Sequence, residues 1–148
     1  MKIVLQRVTQ ARVLVQEQTI GEIGKGYLVL LGIEQEDTEE IAEKMADKIQ
    51  KLRLFEDDQG KTNLNAEQVK GEVLVVSQFT LCADCRKGNR PSFTGAAKPD
   101  KAAALYEYFI ALCESRFCRV AHGSFGADMQ VELCNDGPFT VLLNSNEG

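Results

Sequence analysis

GYLVLLGI, Gly26 to Ile33, is apolar on both faces of any strand drawn through it. A strand of this kind lies buried between two layers. Around it the pattern alternates more. Ile3–Val8 and Arg12–Val15 read as two strands, and Gly21, Gly24 and Gly26 punctuate a turn region before the buried run. After it, Asp37 and Glu40 have the spacing of a helix-capping pair. The helix that follows places Ile41, Met45, Ile49 and Leu52 on one face and acids on the other. FEDDQGKTNLN reads as a loop, and EVLVVSQF, Glu72–Phe79, as a second central strand. Pro99 suits the first turn of a second helix, marked by Ala102, Leu105, Phe109, Leu112 and Arg116. Strands near Cys118–His122, Met129–Leu133 and Phe139–Leu143 close the chain. Strands first, two helices inserted and strands again point to a mixed sheet with helices on one side.

Bulk properties narrow the class. The 148 residues favour one domain, 1–148, with 44% apolar and 26% charged residues. A chain of this length buries roughly 68–70% of its unfolded surface, so its core needs no staples. No apolar run reaches the roughly 20 residues that span a bilayer. MKIVLQRVTQ turns polar too early for a secretory signal. A cytoplasmic protein with no membrane partner is expected, and its five cysteines are not expected to form a disulfide framework. The net charge of −5 argues against blanket nucleic-acid affinity. The charge is uneven, however. Glu34–Lys48 carries seven acids against two lysines, whereas Cys82–Lys101 carries five bases against two acids.

The common catalytic sets are thin here. A single histidine, His122, excludes a His-rich metal site, and RVAHGSFG has no nucleophile-elbow pattern. A strand-end histidine with a local hydrogen bond is the expectation. CADC, Cys82–Cys85, matches C-x-x-C, but a long loop follows it where a redox motif would have a helix. GEIGKG lacks phosphate-loop spacing and leads into a strand. Two stretches remain. In VVSQFTLC, Ser77, Gln78 and Thr80 interrupt the end of a buried strand. In CNDGPFTVLL, Cys134–Leu143, four turn-forming residues, Asn135–Pro138, sit beside apolar ones. Proline is confined to sheet edges, strand starts and bulges, so a rigid kink beside the core needs a purpose.

S-Q-F-T-L, followed about sixty residues later by N-x-G-P-F-T, resembles the D-aminoacyl-tRNA deacylases. MKIVLQRVTQARV, NRPSFTGAA and SFGADMQVEL resemble that family's opening, mid-chain loop and late strand, so the likeness spans essentially the whole chain. The resemblance implies a mixed α/β fold in one compact domain. Its layers would be sandwich- or barrel-like and largely antiparallel, with two main helices packed on one side. It implies a homodimer with the active site at the interface, hydrolysing the ester between a D-amino acid and the 3′-terminal adenosine of tRNA. It also implies a cis Gly137–Pro138 bond reaching into the partner's pocket, although only about 5–6% of X–Pro bonds are cis.

The residue roles follow as expectations. Gly137 and Pro138 would filter chirality with bare main chain, because a side-chain pocket would select by side chain. Ser77, Gln78, Phe79 and Thr80 form the catalytic stretch, with main-chain N–H groups at Gln78–Thr80 facing the oxyanion. Thr80 as nucleophile lacks an evident base, and assistance by the ribose 2′-hydroxyl is preferred. Ser77 would hold the strand end. Arg7, Asn135 and Thr140 would support the Gly-Pro turn, Arg7 through its rigid fork of donors. Phe125 is open between adenine contact and core. Arg86, Lys87 and Arg90 are open between tRNA phosphate contacts and a solvated loop. No cofactor and no metal is expected. Two rivals stay in view: a thiol enzyme built on Cys82 and Cys85, and a non-catalytic RNA-binding module using the basic loop.

Overall fold

The computed structural model describes residues 1–147. Its first strand, β1, runs Lys2–Val15 without a break, where the sequence reads as two strands. The break in pattern at Thr9–Gln10 is real, but it is a bulge. The register against the last strand, β8 (Gln130–Asn144), slips between Val8 and Gln10. An extra residue flips the faces that follow. Ile3 and Leu5 face one core cluster and Val8 the other by simple alternation, and the extra residue puts Ala11 and Val13 on Val8's side.

β1 organises the sheet. Its N-terminal half pairs antiparallel with β3 (Gly26–Gly32), and its C-terminal half with β2 (Gln18–Ile23). β8 pairs antiparallel along its other side. Beyond β3 the pairings turn parallel, to β6 (Glu72–Ser77) and then β7 (Val120–His122). Parallel neighbours need long crossovers. The two helices supply them: α1 (Glu39–Lys51) between β3 and β6, and α2 (Pro99–Glu114) between β6 and β7. A short antiparallel pair, β4 (Phe55–Glu56) and β5 (Thr62–Leu64), occupies the stretch read as a plain loop.

The sheet curls almost shut. A Cβ placed on Gly21 in β2 would lie 2.7 Å from the His122 carbonyl oxygen in β7. Only glycine permits that approach. Inside the curl lie Val8, Ala11, Val13, Ile23, Leu28, Leu74 and Val76. Outside, both helices cover Ile3, Leu5, Tyr27, Val29, Leu31, Val73 and Val75. β3 is thus buried on both faces, as its composition predicts, because it stands between the interior and the helix layer.

Two helix ends differ from the sequence reading. Thr38 caps α1, accepting from Ile41 N. Asp37 is buried and accepts instead from the Met1 amine (2.6 Å) and Glu34 N (2.7 Å). A buried carboxylate with a charged partner so close is committed to that partner. α2 begins with Pro99 as read, but stops at Glu114. Arg116 lies beyond it, its Nε donating to Asp47 (2.8 Å). Among the described residues, no helix is long and apolar enough to cross a membrane.

Candidate active site

The end of β6 makes the first half of the site. Ser77 pairs with Leu31, and Gln78 N donates to Leu31 O at 2.8 Å. The chain then winds into one 3₁₀ turn, Phe79–Cys82. Gly32 allows this, since a Cβ there would sit 2.9 Å from Leu81 Cβ and 3.1 Å from Gln78 O. Leu81 N donates to Gln78 O at 3.1 Å. The Phe79 and Thr80 N–H groups, in the first positions of the turn, have no acceptor within it. The N–H of Gln78 is already committed to Leu31, which leaves the Phe79 and Thr80 N–H groups as the pair without a main-chain acceptor among the described residues. Thr80 Oγ1 accepts from the Gln78 side-chain amide. Phe79 is 57% exposed and stands edge-on to Phe93, with ring centroids 5.1 Å apart.

Neither thiol nor imidazole serves this turn. Cys82 is buried against Ile33 O (3.6 Å), and burial, aided by Glu34, pushes its thiol pKa up. Cys82 and Cys85 are both free. A reactive cysteine needs the opposite, a depressed pKa. His122 Nδ1 lies 2.7 Å from Gly123 O, the local hydrogen bond expected of it.

Phe125 follows β7, the parallel neighbour of β6. Val75 pairs with His122 in parallel register. A cavity of about 500 Å³ opens here, lined by Ile20, Tyr106, Ile110, His122 and Phe125 among others. Phe125 is 37% exposed, with its ring centroid 5.9 Å from that of Tyr106. The buried Tyr106 hydroxyl lies 3.1 Å from Val75 O and 3.2 Å from Gly123 O, tying β6 to the segment that carries Phe125.

The second half of the site is an excursion within β8. Val8 pairs with Asn135 and Gln6 with Thr140, so Arg7 alone faces the four residues Asp136–Phe139. Arg7 is 5% exposed. Its Nε donates to Asp136 O (3.1 Å), its Nη1 donates to Leu54 O (2.6 Å), and its guanidinium lies 5.1 Å from the Phe139 ring centroid. Asn135 Nδ2 donates to Arg7 O and Phe139 O, both at 3.0 Å, and Thr140 Oγ1 donates to Asn135 Oδ1 at 3.2 Å. The Gly137–Pro138 bond at the tip is cis, and both residues are exposed. Gly137 has φ +117°, and a Cβ on it would meet Arg7 Nη2 at 2.7 Å.

One chain does not bring the halves together. Arg7 is level with Tyr27 and Val73, four residues before Ser77. That is about 13 Å along the strands, and the excursion is three strand spacings of about 4.8 Å across from β6.

Residues 4–144 match the family model for D-Tyr-tRNA(Tyr) deacylase. The chain belongs to the D-Tyr-tRNA(Tyr) deacylase family. It is 54% identical over 147 residues to a D-aminoacyl-tRNA deacylase of Thermotoga petrophila, covering 99% of both chains. It is 59% identical over 139 residues to one from Shewanella baltica, covering 94% of this chain and 96% of the other. A solved structure named c-Myc DNA Unwinding Element Binding Protein matches with TM-score 0.92 and 43% identity, covering 97% of this chain and 98% of that one. A probable eukaryotic D-amino acid tRNA deacylase, 20% identical, shares the fold with TM-score 0.83 over 96% of this chain and 97% of that one. Membership places the chain among the hydrolases that act on ester bonds.

In this deacylase-family chain the long connection from Ala83 to Lys98 lies against the first half of the site. Glu34 bridges to Ala96, Gln35 N donates to Gly95 O (3.1 Å), and Ala97 N donates to Ile33 O (2.9 Å). Of its three basic candidates, Arg86 is not free. Its guanidinium forks onto Asp84 at 2.9 and 2.7 Å, and these bonds hold the Asp84 carboxyl at about 2. Tyr106, Phe93 and Asp84 were not singled out in the sequence. The only local signal was their placement in an amphipathic helix or a polar loop, and their partners lie far along the chain or in a fork that composition does not reveal.

Proposed function

We propose that this protein hydrolyses the ester joining a D-amino acid to the 3′-terminal adenosine of tRNA, working as a homodimer in the cytoplasm where charged tRNA is used. Each active site then combines the Ser77–Thr80 turn of one protomer with the Gly137–Pro138 tip of the other. One observation supports this reading: the two motifs are separated within a chain, yet each is built and reaches the surface, at Phe79–Thr80 and at Gly137–Pro138. β8 also offers a free outer edge with Leu142 76% exposed, a surface suited to pairing with a second copy.

The chemistry follows from what is free. The ester carbonyl oxygen sits against the Phe79 and Thr80 N–H groups, which stabilise charge as it develops. Thr80 has an amide donor on its oxygen and no base beside it, so it is a poor nucleophile. Water attacks the carbonyl carbon, helped by the substrate's ribose 2′-hydroxyl. The bond to the ribose 3′-oxygen breaks, and that oxygen takes the proton. Phe125 stacks on the adenine at the mouth of its cavity, and Ser77 holds the strand end.

Handedness is read by the tip. The enzyme has to accept many side chains, so the filter acts on the atoms shared by every substrate. The Gly137–Pro138 main chain, braced from below by Arg7 and Asn135, walls off the side of the α-carbon that an L side chain would occupy. Glycine has no side chain to collide, so glycyl-tRNA is cleaved as well. Release of amino acid from D-tyrosyl-, L-tyrosyl- and glycyl-tRNA tests this. Rapid release from the first and third with none from the second is expected. Full resistance of glycyl-tRNA defeats the steric filter, and equal release from both tyrosyl esters defeats the chirality reading.

A further inference from the structure

We propose that the Asp84–Ser92 loop grips the phosphodiester backbone just 5′ of the terminal adenosine through Lys87 and Arg90, while Arg86 and Asp84 form an internal clamp that adds no net charge. The inference rests on the deacylase reading above and names how that site holds the body of its substrate.

The loop leaves the 3₁₀ turn after a single residue, Ala83. It is closed at its base by a reciprocal pair of bonds, Asp84 N to Ser92 O (2.7 Å) and Ser92 N to Asp84 O (2.9 Å). Gly88, at φ +62°, turns the tip. Asp84 Oδ1 also accepts from Arg86 N at 3.1 Å, so the fork and the main chain stiffen one another. This clamp consumes the charge of Arg86. Lys87 and Arg90 have no carboxylate within ion-pair distance among the described residues. Both are exposed, and with Asp84, Arg86 and Ser92 they line an open cavity of about 560 Å³. The chain carries net charge −5, whereas Cys82–Lys101 holds five bases against two acids, and Lys87 and Arg90 are the part of that segment carried on the braced loop. RNA entering by its 3′ end presents one negative charge per nucleotide, beginning where the adenosine ends. Phosphate contacts of this kind fix register and carry no sequence information.

The test compares two esters of D-tyrosine, on full-length tRNA and on adenosine alone, with binding of uncharged tRNA measured alongside. Lys87→Ala with Arg90→Ala is expected to lower kcat/KM on the tRNA ester by about 10- to 100-fold, mostly through KM. The adenosine ester has no phosphate, and its cleavage should not follow. The salt dependence of tRNA binding should flatten by about 1.4 in log–log slope, two contacts of about 0.7 each. Arg86→Ala bares Asp84 and should also weaken tRNA binding. Asp84→Ala with Arg86→Ala removes both charges and should recover most of that loss, which a merely structural role for Arg86 would not allow. Equal losses on both esters, or no change in slope, overturn the proposal. If neither ester is cleaved by the unaltered protein, the deacylase reading falls, and the binding slopes still decide the phosphate grip.

Discussion

Thr80 shows what a single side chain can and cannot do here. Its hydroxyl sits at the turn proposed to receive the ester, which is where a nucleophile would stand. Its oxygen, however, is occupied by the Gln78 amide, and the one histidine of the chain is turned onto its own neighbour's carbonyl. Thr80→Ala should therefore keep activity within about tenfold, whereas deletion of a true nucleophile costs about 10⁶-fold. Single-turnover hydrolysis of D-tyrosyl-tRNA decides between them. At this scale the sequence was partly legible. Polar residues interrupting a buried strand drew attention to Ser77–Thr80. That Gln78 N–H is spent on Leu31, and Arg86 on Asp84, depends on main-chain geometry that residue identity does not carry.

β8 holds the most consequential element. The chain reads there as two strands, because proline cannot donate to a ladder. The structure runs one strand through, since the excursion lies opposite a residue whose side chain replaces the missing ladder bonds. Arg7 and Asn135 take the carbonyls that the bulge would strand. Arg7 is therefore placed by its position in β1, and Asn135 by its position at the bulge's base. Gly137→Ala puts a Cβ 2.7 Å from Arg7 Nη2 at a φ of +117°. Arg7 is pinned by two carbonyls and cannot yield freely, so the tip has to move at a cost of about 1–3 kcal/mol. Circular dichroism should show an intact fold, while kcat/KM on D-tyrosyl-tRNA falls by about 10- to 100-fold. An unaltered rate would mean that the tip does not touch substrate.

The whole molecule raises the question of how many chains make one site. The nearly closed sheet holds the two motifs three strands apart within one chain. Phe79→Pro removes one of the two free N–H groups at a helix position where proline fits, and should cost about 10²- to 10³-fold. Gly137→Ala damages the other half. Heterodimers of the two variants, purified through different tags, should recover about half the activity of the unaltered dimer, because one of two symmetric sites is then whole. Recovery no greater than the sum of the two homodimers would show that each site belongs to a single chain.

The sequence by itself determined the two central strands, the two helices and their order, and missed β2 and the β4–β5 pair. A buried run at Gly26–Ile33, two amphipathic helices between strands and a proline beside the core all follow from periodicity and backbone chemistry, which are local. It also carried the family likeness, in two separated motifs. Tertiary structure alone decided that β1 and β8 are continuous, since a bulge preserves a strand only when a neighbour supplies the lost bonds. It decided the seam at Gly21 and His122, the clamp at Asp84 and the distance between the two halves of the site. Those depend on which residues meet across the sheet, and contacts between distant parts of a chain are set by packing, not by local propensity.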